Sequence, residues 1–129
     1  MLSIPGIGAI TVATILGEVG DLRGYHSARE IIKLAGLNLY EISSGEHNGQ
    51  KRITKRGKPL LRLILYMASL RMIRTKGTFN EFYQRLTAKG KAKTKAIVAS
   101  MCKLIRIIFA LVKNEQMYKE RSYEKEAQK

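Results

Sequence analysis

The apolar positions of this chain recur at helical spacing, and no stretch alternates cleanly as a half-buried strand would. The longest pattern is the plainest: Ile97, Met101, Leu104, Ile105, Ile108, Leu111 and Val112 fall on one side of a helix, with Lys95, Lys103, Arg106 and Lys113 on the other. Thr11 to Val19 reads as a short apolar helix stopped by Gly20. Ser27 and Glu30 have capping-box spacing and open a helix through Leu34 and Ala35, with Gly36 as its left-handed stop. Pro59 suits the first turn of a further helix in which Leu60, Leu61, Ile64, Leu65, Ala68 and Met72 are apolar and few positions are polar, the composition of a central element. Thr78 and Glu81 repeat the capping-box spacing and open a segment that carries Phe79, Phe82, Tyr83 and Leu86 on one face as far as Gly90. Between Leu37 and Gly57 the periodicity fails. Gly45, Gly49 and Gly57 stand there among polar and basic residues, in a connector long enough to be functional in its own right. The expected architecture is therefore an all-α, compact helical domain over residues 1–117 with one long basic loop, followed by a polar, disordered tail over 118–129.

Composition narrows the class. At 129 residues and 45% hydrophobic, the chain has the means to build one core. Cys102 has no partner for an internal disulfide, and one Cys with two His cannot complete a structural zinc site, so the fold must rest on packing. Arg62, Arg71, Lys103 and Arg106 interrupt the apolar runs, which points to a soluble cytoplasmic protein without a membrane partner. Charge is unevenly placed. Residues 47–113 hold 17 Lys and Arg against one acid, Glu81, while the flanking segments are slightly acidic or balanced. Charge of one sign at that density repels itself, and its near lack of interleaved acids distinguishes it from an ordinary solvated surface; a polyanion, nucleic acid first, is the expected partner.

Two motifs could meet such a partner. Ile4-Pro5-Gly6-Ile7-Gly8, followed by an apolar helix, has the form of the hairpin in a helix-hairpin-helix DNA-binding motif. Gly6 and Gly8 permit a tight turn, and the helix just after them aims unpaired N–H groups and its positive end at an anion such as a phosphate. Contacts of that kind fix position on a duplex without reading bases. The same residues would serve equally as a plain turn between packed helices. They are no dinucleotide-binding fingerprint, since Thr11 stands at the third glycine position and no strand precedes. Only Met1, Leu2 and Ser3 precede the hairpin, so the chain is expected to be a fragment whose first hairpin helix lies upstream.

The second motif is the loop from Ser43-Ser44-Gly45 to Lys58, with Lys51, Arg52, Lys55, Arg56 and Lys58 crowded at its end. A serine hydroxyl becomes a nucleophile when a base takes its proton or when cations stabilise the departing charge. Cations are present here. An obvious base and a carboxylate cluster for Mg²⁺ are not, and on spacing alone Ser-Ser-Gly is turn chemistry and His47 a solvated loop residue.

Four blocks together add to this reading: the Ile4–Gly8 hairpin; Ser27-Ala28 leading to Leu34-Ala35-Gly36-Leu37; Ser43-Ser44-Gly45 leading to Ile53-Thr54-Lys55-Arg56-Gly57; and Leu60-Leu61-Arg62 with Tyr66-Met67-Ala68. In these the chain, from Ile4 to about Tyr118, resembles the C-terminal domain of the bacterial insertion-sequence transposases related to the Piv DNA invertase, a group that includes the RNA-guided bridge recombinases. The resemblance implies a two-domain enzyme in which an N-terminal RuvC-like domain, absent from this fragment, binds Mg²⁺ through four acids. It further implies a catalytic serine, Ser44 or else Ser43, that attacks a DNA phosphodiester to form a covalent intermediate. Full-length members are then expected to work as homo-oligomers on DNA, some with a guide RNA, and the isolated fragment to be inactive. Gly6, Gly8, Lys51, Arg52, Lys55, Arg56, Lys58 and Arg62 are the expected DNA contacts. Two other classes fit the composition: a non-enzymatic helix-hairpin-helix module of ribosomal or DNA-repair type, and a protein-interaction domain with acidic partners.

Overall fold

A computed structural model describes residues 4, 6–37, 39–42, 50–53 and 57–114. The order of elements is α1 (Ala9–Val19), a short 3₁₀ turn (Leu22–Gly24), α2 (Ala28–Leu34), β1 (Leu39–Ile42), β2 (Gln50–Ile53), α3 (Pro59–Arg74), α4 (Thr78–Ala88) and α5 (Lys93–Lys113). The domain is all-α in its packing, with one small addition. The stretch from Leu37 to Gly57, expected to be loop throughout, contains a two-stranded antiparallel hairpin that pairs Leu39 with Ile53 and Ile42 with Gln50. Strands of four residues are too short to show an alternation, which is why periodicity missed them.

Helix α3 is the hub and packs against α1, α4 and α5. Its Leu61 and Leu65 meet Ile15 of α1, Leu22, Ile31 of α2, and Ile105 and Ile108 of α5 around an interior gap of only about 10 Å³. Each such side chain contributes roughly 1.5–3 kcal/mol on burial. Two contacts give α1 and α3 opposite directions. Glu18, near the end of α1, pairs with Lys58 just before α3 at 3.3 Å, whereas Gly6, before α1, abuts Met72 near the end of α3. Helix α5 crosses the first half of α3 and supplies the longest buried face, from Ala96 through Leu104 to Leu111.

Several local expectations need correction. Ser27 makes no side-chain cap on α2; instead the Glu30 carboxylate accepts from His26 N–H at 3.0 Å, one residue earlier than a capping box requires. Thr78 lies inside α4, whose cap is Gly77, so the helix starts one residue earlier than the Thr78–Glu81 spacing places it. Leu60 faces solvent, 52% exposed, because the buried stripe of α3 runs through Leu61, Leu65, Ala68 and Met72. Lys103 is not on a free cationic side: its ammonium sits 4.8 Å from the centre of the Phe82 ring. The left-handed stops hold. Gly36 has φ +74, with Leu37 N–H on Ile32 O and Gly36 N–H on Lys33 O, the Schellman pattern.

Candidate nucleic-acid interface

The opening hairpin turns its isoleucines in and its glycines out. Ile4 and Ile7 are buried in the core, and Ile7 N–H bonds Ile4 O at 3.2 Å, while Gly6 and Gly8 are exposed. Gly6 has φ +91, and a Cβ there would approach the Met72 side chain at 3.0 Å, so the turn depends on glycine twice over. Gly8 is the N-cap of α1, with no side-chain cap and no acid in the first turn. The N–H groups of that turn have no intrahelical acceptor, and the positive end of the helix is left open to an anion. Substituting Gly6 with Ala is expected to cost about 1–3 kcal/mol through backbone strain, read as a lowered midpoint in urea unfolding with an unchanged slope.

Because Gly6 rests on Met72, the open end of α1 lies at the C-terminal end of α3, the end that also carries the exposed Arg71, Arg74 and Lys76. Sequence reasoning missed these three as contacts. They are spread through a helix end and a turn, and only the antiparallel seating of α1 brings the hairpin to them.

The expected contacts Lys58 and Arg62 are at the other end of α3, roughly 24 Å away for a helix of 16 residues. There the C-terminus of α2 serves as an anchor. Its terminal carbonyls are taken up one by one: Ile32 O by Leu37 N–H and Lys33 O by Gly36 N–H, as above, then Leu34 O by Lys58 N–H at 2.8 Å and Ala35 O by the Arg62 guanidinium at 3.2 Å. Gly57 lies flat against the backbone of Leu34, Ala35 and Gly36, leaving no room for a Cβ. Both roots of the basic hairpin, Leu37 and Lys58, are thereby pinned to one helix end. Lys58 also has an ion pair with Glu18, so two of the expected DNA contacts already have partners in the protein.

In the strand register Lys51 stands opposite Glu41 and Arg52 opposite Tyr40. Ser43 and Ser44 belong to the connection between Ile42 and Gln50; they, with Lys55 and Arg56 and the tail expected from 118 onward, lie outside the described residues. Among the described residues no three His, Cys, Asp or Glu side chains come together as metal ligands, and no helix is long and apolar enough to cross a membrane. Burial pushes the Cys102 thiol above its ordinary pKa against the opposing pull of Arg106, which keeps it protonated and unreactive at neutral pH.

Residues 1–84, which carry the hairpin, the anchor and α3, match the model of the Transposase IS116/IS110/IS902 family. The chain belongs to that family. This transposase-family domain is 32% identical over 126 residues to the pilin gene-inverting protein of Moraxella bovis, covering 96% of the chain and 39% of that protein. It is 30% identical to the transposase for insertion sequence element IS1111A of Coxiella burnetii over 91% of the chain and 33% of that protein. A 42 kDa protein of insertion element IS900 from Mycobacterium paratuberculosis is 29% identical over 119 residues. The transposase-family domain thus spans between 30% and 39% of the length of these curated relatives.

Proposed function

We propose that this is the DNA-gripping, serine-bearing domain of an insertion-sequence transposase or site-specific recombinase. The observation that carries it is the hairpin end: two exposed glycines and an uncapped helix start at the same end of α3 as the exposed Arg71, Arg74 and Lys76, a combination suited to phosphates. A duplex lying along α3 from that end would reach the anchored basic hairpin after about seven base pairs, at about 3.4 Å each. In this reading the hairpin end and Arg71, Arg74 and Lys76 hold the duplex, while Lys51, Arg52, Lys55 and Arg56 flank the phosphate that reacts.

Ser44, or Ser43 one residue earlier, supplies the nucleophile. Its Oγ–P bond forms as one P–O bond to a deoxyribose breaks, and the hydroxyl proton ends on the released sugar oxygen. One phosphodiester replaces another, so reversal reseals DNA without an external energy source. The anchoring of Leu37 and Lys58 on α2 supports this role, because a loop that must meet a phosphate gains from rigid roots. Among the described residues no three acids converge as ligands for Mg²⁺, so the ion would be held by the part of the full-length protein beyond this domain. Strand exchange joins ends from two duplexes, so the full-length protein acts as a homo-oligomer, with guide RNA as a further partner in members that use one.

A salt titration tests the gripping role. With five or so phosphates neutralised, log K for duplex DNA is expected to fall with log salt at a slope of about −4 to −5. Replacing Arg71, Arg74 and Lys76 with Gln should flatten that slope by roughly three without changing sequence preference. Salt-independent binding, or none at low salt, would leave the protein-interaction alternative standing.

A further inference from the structure

Between the first half of α3 and the start of α5 runs an open groove of about 360 Å³, floored by Leu37, Leu63, Tyr66, Ile97, Val98 and Met101. Leu63 and Tyr66 are 53% and 40% exposed, on a helix whose opposite stripe is core. Apolar surface of this kind is usually covered in a working protein. The rim is cationic. Thr94 lines one wall, and its neighbours Lys93 and Lys95 are exposed, with no ion pair among the described residues. Lys91 and Lys89 continue the line over the α4–α5 turn, and no acid occurs between Glu81 and Glu115. Lys89 at least sits at the C-terminus of α4, where a cation is stabilising. Lys93 and Lys95 have no such reason. They occupy the first turn of α5, the positive end of its dipole, where positive charge is destabilising.

An apolar, aromatic floor under a rim of lysines fits unpaired nucleic acid: bases stack on the floor while phosphates meet the rim. A second copy of this chain fits less well, because a self-complementary contact would set Lys93 and Lys95 against their own like. Leu37 and Pro59, which bracket the basic hairpin in sequence, both line the groove, so a strand leaving the hairpin enters it directly. We propose that this groove binds a short run of unpaired DNA nucleotides, with Tyr66 as the stacking platform and Lys93 and Lys95 as phosphate contacts. The site deepens the proposed function, since the nucleotides it takes are those unpaired beside the hairpin.

The test uses the intact 129-residue chain with a 12-nucleotide oligo-dT, the matching oligo-U and a 20-base-pair DNA duplex. Tyr66→Ala is expected to weaken both single strands about tenfold, as loss of one stacked base does, while Tyr66→Phe stays within twofold of the parent and duplex affinity is unchanged. Lys93→Gln with Lys95→Gln should weaken the single strands and at the same time raise the melting temperature of the free protein, an effect no structural role for those lysines would give. A loss on oligo-dT, with or without an equal loss on oligo-U, supports the proposal; a loss on oligo-U alone overturns it and assigns the site to RNA. Unaltered single-strand binding in Tyr66→Ala overturns the proposal, as does loss of self-association in sedimentation with single-strand binding intact. Failure here leaves duplex binding at the hairpin end untouched, so the two readings fall separately.

Discussion

In a full-length protein carrying this domain, Ser44→Ala is expected to reduce strand exchange by more than about a thousandfold and to leave duplex affinity within about twofold, if the proposed serine role holds. The size of the first effect follows from the kind of group removed. A nucleophile makes a bond in the reaction that no neighbour can make, whereas a phosphate-contacting cation contributes a fraction of a shared field. The second effect follows from position: the glycine hairpin, where the grip is assigned, is at the far end of α3 from Leu37 and Lys58, the roots of the basic hairpin. Recombination measured on a two-plasmid substrate, with a gel-shift titration alongside, gives both numbers. Normal exchange in Ser44→Ala with loss in Ser43→Ala moves the role one residue. Normal exchange in both refutes the serine mechanism and leaves this domain a DNA-binding part of the recombinase.

Gly57→Ala is expected to destabilise the domain by about 3 kcal/mol or more, a fall in melting temperature of about 10 °C or more for a chain of this size. The added methyl would have to occupy the backbone of Leu34, Ala35 and Gly36, and backbone cannot rotate aside as a side chain can. Relief requires lifting Gly57 off α2, which breaks the Lys58 N–H bond to Leu34 O and draws Arg62 from Ala35 O. The damage should therefore reach function as well as stability, because both roots of the basic hairpin move. Gly24→Ala is the control: a Cβ there meets nothing within 4 Å, and its cost should stay below about 1 kcal/mol. Thermal unfolding of the two variants side by side decides the matter, and equal midpoints would show that the α2 anchor does not hold the loop.

The helices were legible wherever one face had to be buried over several turns. In α5 seven apolar positions repeat through 21 residues, a signal that charged interruptions on the other face only sharpen. Caps were less legible. Ser27 and Thr78 have the right spacing to Glu30 and Glu81, yet Ser27 makes no side-chain cap and Gly77 takes the cap position before Thr78, since a cap depends on how the preceding residues approach the helix. Leu60 misled for a related reason: α3 is apolar nearly all round, so composition marked it as central without saying which sides are covered. The same ambiguity hid the groove at Leu63 and Tyr66, visible only once α5 is laid across α3.

By itself the sequence determined the helical class, the concentration of charge between residues 47 and 113, and the family to which its four motif blocks belong, because each of these rests on local spacing or residue type. Only the tertiary structure decided which cations work together. Arg71, Arg74 and Lys76 share an end of α3 with the glycine hairpin because α1 folds back along α3, while Lys58 and Arg62, adjacent to the basic loop in sequence, are drawn into satisfying the end of α2. Long-range packing sets such distances, and no periodicity along a chain encodes them.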